Sequence, residues 1–173
     1  MIIQRAEFYV IAAIDKKGGI GKDKRLPWKL SEEMAYFKRI TSQAARGKRN
    51  VVIMGRETFE SLKRPLPDRF NIVLSRSVST PTDGIDGVLW CGDLNQALMS
   101  AALHPDVEDV FVIGGAQVYQ QAVVHPCCRA IFLSMIDGVY DCDTFFPELK
   151  RGWFRVAYEE FPGWKAAIYE RSL

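Results

Sequence analysis

Three groups of residues in this sequence carry chemistry. The first is Glu33, in the stretch Leu26-Pro27-Trp28-Lys29-Leu30-Ser31-Glu32-Glu33-Met34-Ala35-Tyr36-Phe37. The residue before a proline is pushed to extended backbone. Ser31 is then placed to cap a helix by accepting from the backbone N–H of Glu33 or Met34. At about 100° per residue, Leu30, Met34, Phe37 and Ile40 share one face, and Glu32, Arg39 and Gln43 share the opposite one. Glu33 falls with the apolar set. A carboxylate on a buried face is costly unless something pairs with it. It is either a first-turn charge of the kind helix starts favour, a role that Glu32 already fills from the solvent side, or an acceptor for a ligand bearing N–H donors.

The second group is Arg56, Ser75 and Arg76. Each arginine directly follows an apolar, strand-like run or its first polar residue. In open α/β sheets, ligands bind at the carboxyl ends of strands. Two arginines and a serine there suit a phosphate monoester, although either arginine alone reads equally as a solvated surface charge. The third group is Gly114-Gly115, which breaks the apolar run Val110 to Ile113 before a helical stretch, Ala116 to Val124, with Tyr119 in its first turns. Two residues without Cβ allow close backbone approach, and a following helix N-terminus suits a pyrophosphate. Tight packing uses the same pair, and the spacing is not the GxGxxG fingerprint.

These residues need a frame to hold them. Phe8 to Ile14 is nearly continuously apolar, as in a strand buried on both faces. Asp15 to Arg25 holds Gly18, Gly19, Gly21 and four lysines; a loop this long and glycine-rich reads as a lid or as a plain surface loop. A helix follows from Ser31 to Ala45, then a strand over Val51 to Met54. Gly55-Arg56-Glu57-Thr58 opens a short helix to Leu62. The proline-stiffened Arg64 to Arg69 connection leads into strand Phe70 to Leu74. Ser77 to Asp86 reads as a polar loop, Gly87 to Cys91 as a strand, and Leu94 to Leu103 as a helix ended by His104-Pro105. Strand Ala130 to Ile136 carries Ser134. A loop follows from Asp137 to Thr144, whose aspartates lack EF-hand spacing. The chain finishes in a hairpin, Phe154 to Phe161 and Trp164 to Glu170, turned at Pro162-Gly163. The tally is about eight strands and four helices: α/β, with a central mixed, mostly parallel sheet closed by an antiparallel hairpin.

The 173 residues suit one domain spanning 1–173. A formal net charge of +2 gives no reason to expect nucleic acid or a membrane as partner. The four cysteines and two histidines lack metal-ligand spacing. Reduced cysteines, no signal-type segment and no apolar run long enough to span a bilayer lead us to expect a cytoplasmic monomer without a metal.

Ile11-Ala12-Ala13, Gly19-Ile20-Gly21, Leu26-Pro27-Trp28, Ile53-Met54-Gly55-Arg56-Glu57-Thr58, Leu74-Ser75-Arg76, Ile113-Gly114-Gly115 and Asp143-Thr144-Phe145-Phe146-Pro147 occur in this order. As an ordered set, running from about Phe8 to the C-terminus, they resemble dihydrofolate reductase. The resemblance implies NADPH-dependent reduction of 7,8-dihydrofolate to tetrahydrofolate, a role in one-carbon metabolism, and sensitivity to antifolates. It makes Glu33 the single acid of the pterin pocket, pairing with the pterin 2-amino group and N3–H in a charge-assisted contact. Trp28 would help position a water for N5 protonation, and Ser134 would hold the glutamate–pterin network. Ser134 stands where many members have threonine, and Phe59 where many have tryptophan.

By the same resemblance, Ile11 and Ile113 would present carbonyls at the pterin 4-position. Ala12, Ala13, Met34, Phe37, Leu62, Leu66 and Tyr119 would line the substrate pocket, and Arg69 would bind the α-carboxylate of the glutamate tail. Cofactor would be held by Ala13, Gly55, Arg56, Glu57, Thr58, Leu74, Ser75, Arg76, Ile113, Gly114, Gly115, Ala116, Gln117, Val118 and Tyr119, beneath a lid containing Gly19, Ile20 and Gly21. Two other classes stay in view: a pyrimidine reductase of the same fold, disfavoured by Glu33 and Arg69 together, and a non-catalytic nucleotide-binding module.

Overall fold

The computed structural model describes residues 4–84 and 86–172. The chain runs β1 (Phe8–Ile14), β2 (Gly19–Gly21), α1 (Ser31–Ser42), β3 (Arg49–Gly55), α2 (Arg56–Leu62), β4 (Phe70–Leu74), β5 (Thr82–Asp83) and β6 (Val88–Cys91). It continues through α3 (Leu94–Leu103), β7 (Val107–Val112), α4 (Ala116–Ala122), β8 (Cys128–Ile136), β9 (Thr144–Phe145), β10 (Trp153–Phe161) and β11 (Trp164–Arg171).

Nine strands form one sheet in the order β10-β11-β8-β1-β7-β3-β4-β6-β5. The six strands from β8 to β6 in that order are mutually parallel. β10, β11 and β5 join antiparallel. The parallel strands read as apolar runs because both faces are covered: Phe8, Val10, Val51, Ile53, Val112 and Ile131 lie in one cluster, and Ile11, Val52, Met54 and Phe111 in another. The topology matters for function because β7, β3 and β4 are neighbours running in one direction. Their carboxyl ends bring Gly114, Gly55 and Ser75 to one edge of the sheet.

β1, β4 and α3 have the boundaries the sequence predicts. Helix α1 differs in three respects. It ends at Ser42 instead of Ala45. Ser31 lies inside it, Leu30 occupies the cap position, and no side chain caps the end. Its buried residues are Glu33 and Thr41, whereas Met34 is 53% exposed. The inward stripe is therefore Glu33, Phe37, Ile40 and Thr41, turned by about one residue from the all-apolar stripe.

The segment expected to be an unstructured loop from Asp15 to Arg25 contains β2, which pairs antiparallel with β9 in a separate two-stranded sheet. β5 likewise sits in the segment read as a polar loop. The final hairpin has an irregularity: Arg155 faces Tyr169 and Ala157 faces Ile168, so Val156 is an extra residue, a β-bulge in the edge strand β10.

Candidate active site

Glu33 comes off the first turn of α1 and is 7% exposed. Burial pushes its carboxyl above the ordinary carboxylate value, and a hydrogen bond from Ser134 pulls it partly back. Ser134 is itself buried on β8 and lies opposite Ala13 of β1. The acid, the hydroxyl and the end of β1 thus meet in one place, and Glu33 forms no ion pair among the described residues, which leaves its carboxylate open to external N–H donors.

Several of the other residues expected at the pocket share a cluster. Ile11, Phe37, Leu62, Leu66 and Ile113 pack within one cluster. The Tyr119 hydroxyl lies 2.8 Å from the Ile11 carbonyl and 2.8 Å from the Ile113 carbonyl, joining β1 to the end of β7. Burial, and then Glu33, push the Tyr119 phenol upward, so it is a donor throughout the physiological range. Ala12 is buried in the core. Met34 is exposed instead of packed with this group.

Trp28 is buried with Ile136, Trp164 and Ala166, with Ala13 and Tyr36 packed alongside. Its indole meets the Tyr140 ring edge-on, with centroids 5.3 Å apart. The buried Trp28 Nε1–H has no acceptor among the described residues.

Arg69 is buried at the start of β4. Its Nε donates to the Pro67 carbonyl and its Nη1 to Thr41 Oγ1, both at 2.9 Å. Two prolines and the Asn71 side chain, which pairs with both backbone groups of Leu66, stiffen the connection that delivers it. Burial draws the Arg69 guanidinium down while Asp68 draws it up.

At the sheet edge, Gly55 N–H donates to the Gly114 carbonyl at 2.9 Å. Space for a side chain is tight here. A Cβ on Gly55 would meet Val118 at 3.3 Å, and one on Gly115 would meet Thr58 Oγ1 at 3.3 Å. Side chains at these positions would fill the cradle between α2 and α4, so the residues present fit a group that lies against bare backbone. The Gly114-Gly115 peptide is cis. Arg56 and Arg76 flank this cradle on the exposed side; Arg56 pairs with Glu60 at 3.5 Å, and Arg76 Nη2 donates to Gln117 at 3.4 Å. Ser75 hydrogen-bonds Ser77 at 2.9 Å. Ala116 opens α4, and Leu74 and Ile20 pack on the main core cluster. Glu57 lies 3.6 Å from Lys24 Nζ, in the segment that follows β2.

A family model described as Dihydrofolate reductase matches residues 7–167. The chain belongs to the dihydrofolate reductase family. It is 39% identical over 169 residues to the dihydrofolate reductase of Heliothis virescens, covering 94% of this chain and 91% of that one. Against the dihydrofolate reductase of Drosophila melanogaster the identity is 38% over 154 residues, covering 87% and 84%. A bifunctional dihydrofolate reductase-thymidylate synthase of Daucus carota is 43% identical over 162 residues, but the match spans only 31% of that longer relative. Family membership accounts for the mixed sheet.

Sequence reasoning passed over one residue that the geometry makes prominent. Asp15, treated only as the start of a loop, is 3% exposed. Its Oδ1 accepts from the backbone N–H of Lys17 and of Gly19, both at 2.8 Å. Its Oδ2 accepts from Tyr140 N–H at 3.0 Å and from the Cys142 thiol at 3.7 Å. Burial alone would raise this carboxyl, but the N–H groups of Tyr140, Gly19 and Lys17 outweigh it and hold the group below the ordinary range. An aspartate followed two residues later by an available N–H, in Asp-Lys-Lys-Gly-Gly, is an Asx-turn signal that could have found half of this arrangement. Tyr140 and Cys142 gave no local signal. All four cysteines are free, and no helix among the described residues is long and apolar enough to cross a membrane.

Proposed function

We propose that this chain reduces 7,8-dihydrofolate to 5,6,7,8-tetrahydrofolate with NADPH, in the service of one-carbon metabolism. The observation that carries the reading is Glu33: a buried carboxylate, raised by burial, met by Ser134 at the end of β1, in a chain of the dihydrofolate reductase family. Two N–H donors of a pterin, the 2-amino group and N3–H, supply the partners this carboxylate lacks, and charge-assisted pairing of this kind is roughly twice as strong as a neutral hydrogen bond. The nicotinamide, when bound, supplies the hydride.

The chain's own residues bind and orient. Glu33 fixes the pterin by its ring edge, and Ser134 holds the carboxylate. The orphan Trp28 N–H is available to hold a water that can bring a proton to N5, since no second acid is expected beside Glu33. Arg69, pre-set by Thr41 and Pro67, suits the α-carboxylate of a glutamate tail. The Gly55 and Gly114-Gly115 cradle suits a pyrophosphate, with Arg56, Ser75 and Arg76 set for a further phosphate. Cytoplasmic action as a monomer belongs to the same reading.

The test is loss of NADPH absorbance when dihydrofolate is added to the purified chain, repeated with a folate-analogue inhibitor. Inhibitor-sensitive oxidation that depends on dihydrofolate is the expected result. Oxidation of NADPH with a pyrimidine substrate but not with dihydrofolate would replace this reading.

A further inference from the structure

We infer that Asp15 is a positioning residue of this enzyme, joining the lid to the Tyr140 loop and thereby setting the place of the Trp28 indole. The inference rests on the reading of the site given above. Two segments that are distant in sequence share a single side chain as their junction. On the lid side Asp15 holds Lys17 and Gly19; on the other it holds Tyr140 and Cys142. Backbone bonds run alongside: Asp15 N–H donates to the Gly19 carbonyl at 2.9 Å, Lys16 N–H to Gly138 at 3.0 Å, and Phe146 N–H to Gly18 at 2.9 Å. The two segments are also in van der Waals register, because a Cβ at Gly19 would fall 2.4 Å from Cys142 Cβ.

The chemistry of the junction requires an anion. Every partner of the Asp15 oxygens is a donor, so the side chain must accept on both oxygens, and only an ionised carboxylate is acceptor-only at both. An asparagine of the same shape would turn its NH2 toward either Tyr140 N–H or the Lys17 and Gly19 N–H groups. The consequence travels to the site through Tyr140, whose backbone is held by Asp15 and whose ring packs against Trp28 at 5.3 Å. A second side-chain tie between the two segments, Asp23 N–H to Asp143 Oδ2 at 3.0 Å, is exposed to water.

The experiment uses the full chain with NADPH and compares wild type, Asp15→Asn and Tyr140→Leu. Three quantities are read: amide exchange at Lys17, Gly19 and Tyr140; the single-turnover rate of NADPH oxidation; and dissociation constants for dihydrofolate and NADPH. In Asp15→Asn, exchange at the three amides should rise about tenfold or more while Val112, in the sheet, stays protected. The single-turnover rate should fall about tenfold, since misplacement rather than lost contact is the defect, with both dissociation constants within about twofold of wild type. Tyr140→Leu keeps every hydrogen bond to Asp15, so exchange at Lys17 and Gly19 should not change, yet the single-turnover rate should fall. If Asp15→Asn does not fold, the Tyr140→Leu rates decide the matter. Unchanged exchange in Asp15→Asn, an unchanged single-turnover rate in either variant, or a fall matched by weaker binding would overturn the inference. A wild-type chain that does not oxidise NADPH with dihydrofolate would overturn the proposed function instead, and the exchange data would still decide whether Asp15 joins the two loops.

Discussion

Thr41 Oγ1 donates to the Phe37 carbonyl at 2.8 Å and accepts from Arg69 Nη1 at 2.9 Å. One buried hydroxyl thus spends its proton on its own helix and offers a lone pair to a guanidinium 28 residues further on. The orientation of Arg69 is set by α1, the same helix that carries Glu33. The two ends of a folate, pterin and glutamate tail, would be read from one rigid element.

The first prediction follows. Arg69→Leu should weaken binding of folates that carry the glutamate tail and leave small lipophilic antifolates that lack it nearly unaffected. Thr41→Val, with the same shape and no acceptor, should show the same selectivity at smaller size. It should also lower the unfolding free energy by about 1–3 kcal/mol, because a buried charged donor loses a partner. Dissociation constants for the two ligand types and urea melts check this; equal losses for both ligands would make Arg69 a folding residue only.

Glu33 gives the second prediction. Glu33→Gln should reduce turnover at neutral pH by about 10²–10⁴-fold, with NADPH binding retained, while the exposed Glu32→Gln stays near wild type. The stability effect has a definite sign. A carboxyl raised in the folded state stabilises fully below its unfolded value, near 4.5, and that stability is lost as pH rises through the folded value. Wild type should therefore lose melting temperature relative to Glu33→Gln between acid and neutral pH, and the two should converge near pH 4. Melting curves taken across that range would reveal a parallel pair of profiles if the group were not perturbed.

Third, NADPH should be preferred over NADH. Charge-assisted contacts are worth about 1.5–3 kcal/mol each. Arg56 and Arg76 are both exposed, which favours the lower end and gives roughly 10²-fold for the pair. Arg56→Ala and Arg76→Ala should each remove about tenfold, read as kcat/KM with the two cofactors. An unchanged ratio in the double variant would place the discrimination elsewhere.

Fourth, Tyr119→Phe keeps the ring against Phe146, 5.0 Å away, and strips the Ile11 and Ile113 carbonyls of their shared donor. Unfolding in urea should show a loss of about 1–3 kcal/mol with an unchanged m-value. A variant as stable as wild type would mean that both carbonyls find other donors.

What could be read from the chain depended on how local the cause was. The extents of β1 and α3 follow from an uninterrupted apolar run and 3–4 spacing, and that of β4 from an apolar run broken only by Asn71, all properties of neighbouring residues. β2, β5 and β9 are two or three residues long and leave no periodic trace; β2 and β9 exist only because each pairs with the other across the chain, whereas β5 pairs with its neighbour β6. α1 is turned by about one residue from the predicted phase, and Glu33, the residue that breaks the apolar pattern, lies on its buried face. Thr41 was missed because its burial serves Arg69, a long-range partner. The Ser31 cap failed for a simple reason: the helix begins one residue earlier than the hydroxyl would need, so Ser31 is already inside the first turn. Asp15 shows the same limit, with an Asx-turn visible in sequence and its other two donors contributed more than a hundred residues away.

The extra residue in β10 bears on a different hazard. This strand closes one side of the large sheet, and its outer row of backbone groups carries exposed Phe154, Val156 and Tyr158, a combination that invites another chain to add itself. The bulge at Val156 breaks the spacing of that row, so an incoming strand cannot match it along its whole length. Deleting Val156 would straighten the edge. We expect such a chain to fold, to retain its site, and to scatter light progressively as molecules add to one another side by side.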